Sequence, residues 1–138
     1  MAVNYDPALI GKVFETTEPV EVKAERIKIF CDTLGETNPI YTDGKVAPPA
    51  YAVTFRNGRN FFQHVPRFGR AGFDAGKDVE FLRPIHAGDQ ITLSSHVKEI
   101  YEKTGRSGTM VFVVIRSTLT NQNGEQVAHI DHRFMNRP

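Results

Sequence analysis

The sequence predicts an α+β domain in which a curved antiparallel sheet wraps around one buried helix. Three observations carry this expectation. The second half alternates apolar and polar residues in long runs separated by turn signals, the mark of half-buried strands. The first half holds an aromatic-rich segment, Tyr51 to His64, whose apolar residues suit a buried helix. At 138 residues the chain is long enough for one real core and too short for two ordinary domains.

Near the start, Glu18-Pro-Val-Glu-Val22 reads as a short strand. Ile27, Phe30, Cys31 and Leu34 then recur three or four residues apart and predict an amphipathic helix over Ala24 to Leu34. Gly35 suits its C-terminal cap, because glycine enters the left-handed conformation without a Cβ penalty. Glu36-Thr-Asn-Pro39 follows as an irregular turn, since the residue before proline avoids the helical region. Ala47-Pro-Pro-Ala50 is a stiff entry to the Tyr51–His64 helix, with Gly58 a weak point inside it. Pro66 to Gly76 reads as an Arg- and Gly-rich loop.

From Lys77 the period becomes two. Val79 and Phe81 alternate with charged neighbours, and Pro84 and Gly88-Asp89 break the run. Ile91, Leu93, Ser95 and Val97 alternate with polar residues, a turn spans Lys103 to Gly108, and Met110 to Ile115 is strongly strand-forming. Asn121-Gln-Asn-Gly124 is a hairpin turn before a last strand over Gln126 to Met135. A sheet apolar on one face needs something to enclose. A helix inside antiparallel sheet is the hot-dog arrangement, so a single hot-dog domain over residues 1–138 is the expected fold.

Composition narrows the function. The formal net charge is +1, so no global field favours nucleic acid or a membrane surface. No stretch approaches the roughly 20 apolar residues of a membrane span, and the first residues lack the basic start and apolar run of a leader. Cys31 is the one cysteine, which rules out an intrachain disulfide and suits a reducing compartment. The expected location is the cytoplasm. Cys31 sits on the apolar face of the predicted helix and reads as packing, not as a nucleophile. Of five histidines, His129 and His132 lie three apart in a predicted strand and so face opposite sides, which disfavours chelation. No metal site is expected.

Four segments in order give a resemblance: Phe30, Gly35-Glu-Thr-Asn-Pro-Ile-Tyr-Thr-Asp43, Ala47-Pro-Pro49, and Val79-Glu-Phe-Leu-Arg-Pro-Ile-His-Ala-Gly-Asp89. Over about Leu9 to Phe134 the chain resembles the MaoC-like hydratase/dehydratase family. Within it, the chain is similar to the N-terminal-half subfamily of partner subunits and fungal-type fatty acid synthase dehydratase regions. That resemblance implies action on enoyl or (3R)-hydroxyacyl thioesters of coenzyme A or an acyl carrier, with no further cofactor. It also implies a homodimer, or a heterodimer with a catalytic hot-dog subunit.

Active members carry an aspartate and a histidine that activate a water, beside a backbone N–H that polarises the thioester carbonyl. Carried onto this chain, Glu36 stands at the aspartate position and Tyr41 at the histidine position. Asn38, Pro39 and Ile40 match. A phenol, with a reference pKa of about 10, is a poor base at neutral pH, and glutamate is one methylene longer than aspartate. The altered motif therefore implies a subunit that shapes the acyl channel while a partner supplies acid and base. Asn38, Pro39, Ala47, Pro48, Pro49, Tyr51 and Arg83 are the expected substrate-binding residues. The chain is also short between Asp43 and Ala47, where many relatives insert a segment that roofs the channel.

Plainer readings stand beside these. Glu36 to Pro39 also reads as a helix stop, Tyr41 as a core or interface residue, and Ala47 to Pro49 as a rigid helix entry. Arg67, Arg70, Lys77 and Arg83 would suit phosphates and equally a solvated surface. An independent hydratase using Glu36 and a non-enzymatic thioester-binding protein remain open. A thioesterase fits less well, because Tyr51 to His64 contains no carboxylate.

Overall fold

The computed structural model of the chain describes residues 3–138. Strands β1 (Val13–Thr16) and β2 (Val20–Glu21) precede helix α1 (Ala24–Leu34) and the one-turn helix α2 (Pro39–Thr42). A 3-10 segment, Pro49–Thr54, and a second one-turn helix, α3 (Phe61–His64), lead into the long strands. These are β3 (Ala71–Phe81), β4 (Gln90–Gly105), β5 (Gly108–Thr120) and β6 (Gln126–Arg137). The sheet is ordered β1-β4-β5-β6-β3, with β2 also on β4, and its ladders are antiparallel.

The alternation read in the sequence sets the two faces. Leu93, Leu119, Ala128 and Phe81 stand in one cross-strand row, and the first three are fully buried. They belong to a core completed by Val22, Ile27, Cys31, Tyr51, Ala52, Ile91 and Val127. A second cluster joins Phe61 to Val97, Val113 and Ile115. Helix α1 ends as predicted: Gly35 is left-handed at φ 69°, and its N–H and that of Glu36 donate to Asp32 and Cys31 carbonyls.

Two expectations are corrected. Tyr51 to His64 is not one helix. Phe55 leaves the 3-10 segment in an extended conformation, and helix resumes for one turn at Phe61. The break lies at Asn57-Gly58, both weak helix formers. Tertiary bonds hold it open: Asn57 Nδ2 donates to Ser117 Oγ (3.2 Å), and Gly58 N–H donates to Glu15 Oε1 (2.7 Å). The sheet thus encloses a broken helical segment. The second correction is Pro66 to Gly76, whose last six residues are strand, not loop. They form an edge that pairs with β6 alone, so burial imposes little alternation on them.

The outer face carries an ion-pair cluster. Asp131 accepts two bonds from Arg116 (2.8 and 2.9 Å) and one from Lys98 (2.9 Å). Beside it, Arg133 pairs with Asp78.

Candidate functional site

The segment Glu36 to Thr42 folds into a cap over one end of the sheet. Asn38 opens α2 by accepting from Ile40 N–H (3.1 Å), with Pro39 in the first turn, where a missing N–H costs nothing. Glu36 accepts from Thr37 N–H (3.1 Å) and Asn38 N–H (2.9 Å), so its carboxylate closes this turn. The cap is tied down from below: Tyr41 packs on the core, and its carbonyl accepts from the Cys31 thiol (3.6 Å). Burial pushes that thiol up, with Glu36 and Asp32 adding to the effect, so Cys31 stays a neutral packing group.

Between this cap and the sheet lies a cavity of about 350 Å³. Its walls are Ile40 and Tyr41 from α2, Val46 to Pro49 before the 3-10 segment, and Phe81 to Ile85 beyond β3, with Val127 beneath. The segment before the 3-10 turn is fixed by Ala47 N–H donating to Ile85 O and Ala87 N–H to Lys45 O (2.8 and 2.9 Å). Arg83 is the cation in the lining, paired with Glu125 at 3.0 Å. The Asn121 amide, then Arg83, hold the Glu125 carboxyl below its usual range. A mostly apolar concave site with few polar groups is what an acyl chain needs.

Of the residues singled out in the sequence, the cavity gathers Tyr41, Ala47, Pro48, Pro49 and Arg83. Glu36, Asn38 and Pro39 build the turn that carries α2 and do not line it. Tyr51 turns to the other side of its segment, edge-on to Phe30 and Phe55 (ring centroids 5.4 and 5.7 Å). There it lines a separate groove below α1, where burial raises its hydroxyl pKa. Ile40, Val46, Phe81, Leu82, Pro84, Ile85 and Val127 were missed as lining residues. All but Val46 and Val127 stood within the segments that carried the resemblance. Of the four cations offered as phosphate contacts, Arg83 alone reaches this cavity.

The histidines lie elsewhere. His129 approaches Glu80 (3.5 Å) on the outer face, while His132 approaches Asp74 (3.1 Å) on the inner face. Among the described residues no three His, Cys, Asp or Glu side chains cluster as metal ligands. No helix among them is long and apolar enough to cross a membrane.

Against known proteins, the family described as "FAS1-like, dehydratase domain region" matches residues 8–130. The chain belongs to that family. A UPF0336 protein of Streptomyces avermitilis is 28% identical to this family member over 140 residues, covering 88% of each chain. Among solved structures, the truncated HadBC (3R-hydroxyacyl-ACP dehydratase) complex of Mycobacterium tuberculosis aligns with a TM-score of 0.72 and 21% identity, covering 93% of this chain and 97% of that one. The ChsH1–ChsH2 complex of the same organism aligns at 0.69 and 15%, covering 90% and 83%. A MaoC-like dehydratase from Rhodospirillum rubrum aligns at 0.64 and 20%, covering 94% of each chain. These likenesses establish the hot-dog fold, and the family match establishes a dehydratase-type lineage.

Proposed function

We propose that this family member is a subunit of an enoyl-thioester hydratase or (3R)-hydroxyacyl dehydratase, holding the acyl end of a coenzyme A or carrier thioester in the Tyr41–Arg83 cavity. The observation that carries the reading is the cavity itself. Four of the seven residues expected to contact substrate, Ala47, Pro48, Pro49 and Arg83, line one apolar chamber of acyl-chain size together with the motif residue Tyr41, on a dehydratase-family fold. Tyr41 occupies the place where the family's imidazole stands, and Glu36 is committed to the turn N–H groups. Tyr41 lines the chamber but a phenol is a poor base at neutral pH, and Glu36 does not line it, which disfavours the independent hydratase built on Glu36. A partner hot-dog subunit with the intact aspartate–histidine pair supplies the fast acid/base route.

Tyr41→Ala is expected to weaken binding of a crotonyl thioester several-fold while shifting the melting temperature little, because Tyr41 lies at the cavity wall and is only half-buried. Calorimetric titration alongside a thermal melt checks it. A large melting loss with unchanged affinity would mark Tyr41 as a core residue only.

Assembly follows from the sheet edge. Among the described residues β3 pairs on one side only, leaving an open row of backbone groups along 11 residues, a liability in a lone chain. The purified protein is expected to be a dimer by multi-angle light scattering. A stable monomer at micromolar concentration would count against a partner at this edge.

A further inference from the structure

The groove below α1, of about 860 Å³, shares no lining residue with the Tyr41–Arg83 cavity. One wall is a single face of α1, on which Arg26, Ile29, Phe30, Thr33 and Leu34 recur three or four residues apart. The other is the 3-10 segment and the chain just past it, with Tyr51, Thr54, Phe55 and Arg56. Ile29 and Leu34 stay exposed, as does Val20, which lines the same groove. Large apolar side chains gathered in one open concavity mark a contact site rather than core.

The polar lining is cationic. Lys23, Arg26 and Arg56 line the groove and form no ion pair among the described residues, and Glu21 is the one carboxylate beside them. Thr33 and Thr54 donate their hydroxyls to the Ile29 and Tyr51 carbonyls (2.8 and 2.7 Å). Tyr51 differs. It is only 8% exposed, yet its hydroxyl has no hydrogen-bond partner among the described residues, whereas a buried tyrosine usually finds one. The fully enclosed side-chain atoms without a partner are on His129 and His132, so the Tyr51 hydroxyl opens into the groove. Burial raises its pKa and the Arg26 guanidinium opposes the rise, so the phenol is a donor at neutral pH within electrostatic reach of Arg26.

We infer that this groove is a second ligand site, binding a medium-chain aliphatic carboxylate whose head is held by Arg26 and the Tyr51 hydroxyl and whose chain lies along Ile29, Phe30 and Leu34. Arg26 stands in the first turn of α1 and Leu34 is its last residue. At 1.5 Å per residue the cation and the far apolar end are about 12 Å apart, which sets a chain of medium length. A guanidinium and a phenol are the donors a carboxylate accepts from most strongly. A second copy of this chain is a poorer occupant, because two-fold pairing here would set the same three cations against one another. An acidic protein surface would meet the cations but leave the Tyr51 hydroxyl without a partner, since so little of that residue is reachable from outside. The volume is that of a small-molecule site.

The test is calorimetric titration of the purified protein with decanoate, with the site located by backbone and methyl resonances. Saturable binding is expected, with shifts at Ile29, Phe30, Leu34, Thr54 and Phe55. Decanol, with the same chain and no charge, is expected to bind about tenfold more weakly, and Arg26→Gln and Tyr51→Phe each to weaken decanoate about tenfold, the worth of one bond to a charged group. The Tyr51 hydroxyl has no partner to lose, so Tyr51→Phe is expected to leave the melting temperature unchanged, which separates lost binding from misfolding. Equal affinity for decanol and decanoate, or wild-type affinity in both variants, would overturn the inference. So would shifts confined to the Tyr41–Arg83 cavity. Absence of saturable binding, with the groove resonances moving on dilution instead, would give the groove to a second copy and likewise overturn it.

Discussion

Adding a hot-dog subunit with an intact aspartate–histidine pair is expected to raise enoyl-thioester hydration about 10²–10⁴-fold above this chain alone, the usual worth of a positioned general base. On the proposed reading Tyr41 stands where the family's imidazole would act, so this chain alone offers a chamber without that base, and Glu36 is held by Thr37 and Asn38 N–H groups. Replacing the partner's histidine should abolish the gain. Glu36→Gln here should leave most of it, because a glutamine oxygen still accepts the two turn N–H bonds. Initial rates with crotonyl-coenzyme A for each chain and for the mixture check this. Brisk turnover by this chain alone, abolished by Glu36→Gln, would instead make it an independent hydratase.

The second large effect concerns stability. Asp131→Asn is expected to cost about 2 kcal/mol and lower the melting temperature by about 6–10 °C. Burial by itself would raise the Asp131 pKa, but bonds from Arg116 and Lys98 outweigh it and hold the carboxyl at about 2, against an ordinary 3.8. The folded value is the depressed one. The stabilisation is therefore complete above about pH 4 and disappears as pH falls toward 2. Wild type and Asp131→Asn should thus converge in denaturant midpoint at low pH and separate above pH 4. Parallel curves across that range would show that the cluster contributes nothing beyond its packing.

How much of this was legible in the sequence depended on burial. Ile91, Leu93, Ser95 and Val97 alternate because one face of β4 is core, and all four are buried in the structure. Ile27 and Cys31 marked α1 for the same reason, whereas Leu34, at 62% exposure, fits the helical period without being core. The first half of β3 was illegible. An edge strand with Gly72, Asp74 and Gly76 has no buried face to enforce a pattern, and its bulge breaks the period of two. The broken helix was legible only as a weak point at Gly58. What opens it are bonds to Ser117 and Glu15, 60 and 43 residues away in sequence. The cavity was half legible: Ala47 to Pro49 and Arg83 stood in the family segments, but Val127 enters from β6 and carries no local signal.

The claim that this cavity holds an acyl thioester is tested most directly by titrating crotonyl-pantetheine into isotope-labelled protein and following backbone and methyl resonances. Saturable shifts concentrated at Ile40, Tyr41, Ala47, Arg83, Ile85 and Val127 are expected, and their loss on Ile40→Arg. Saturable shifts confined to the Tyr51–Phe55 groove below α1, or no saturable shift at all, would contradict it.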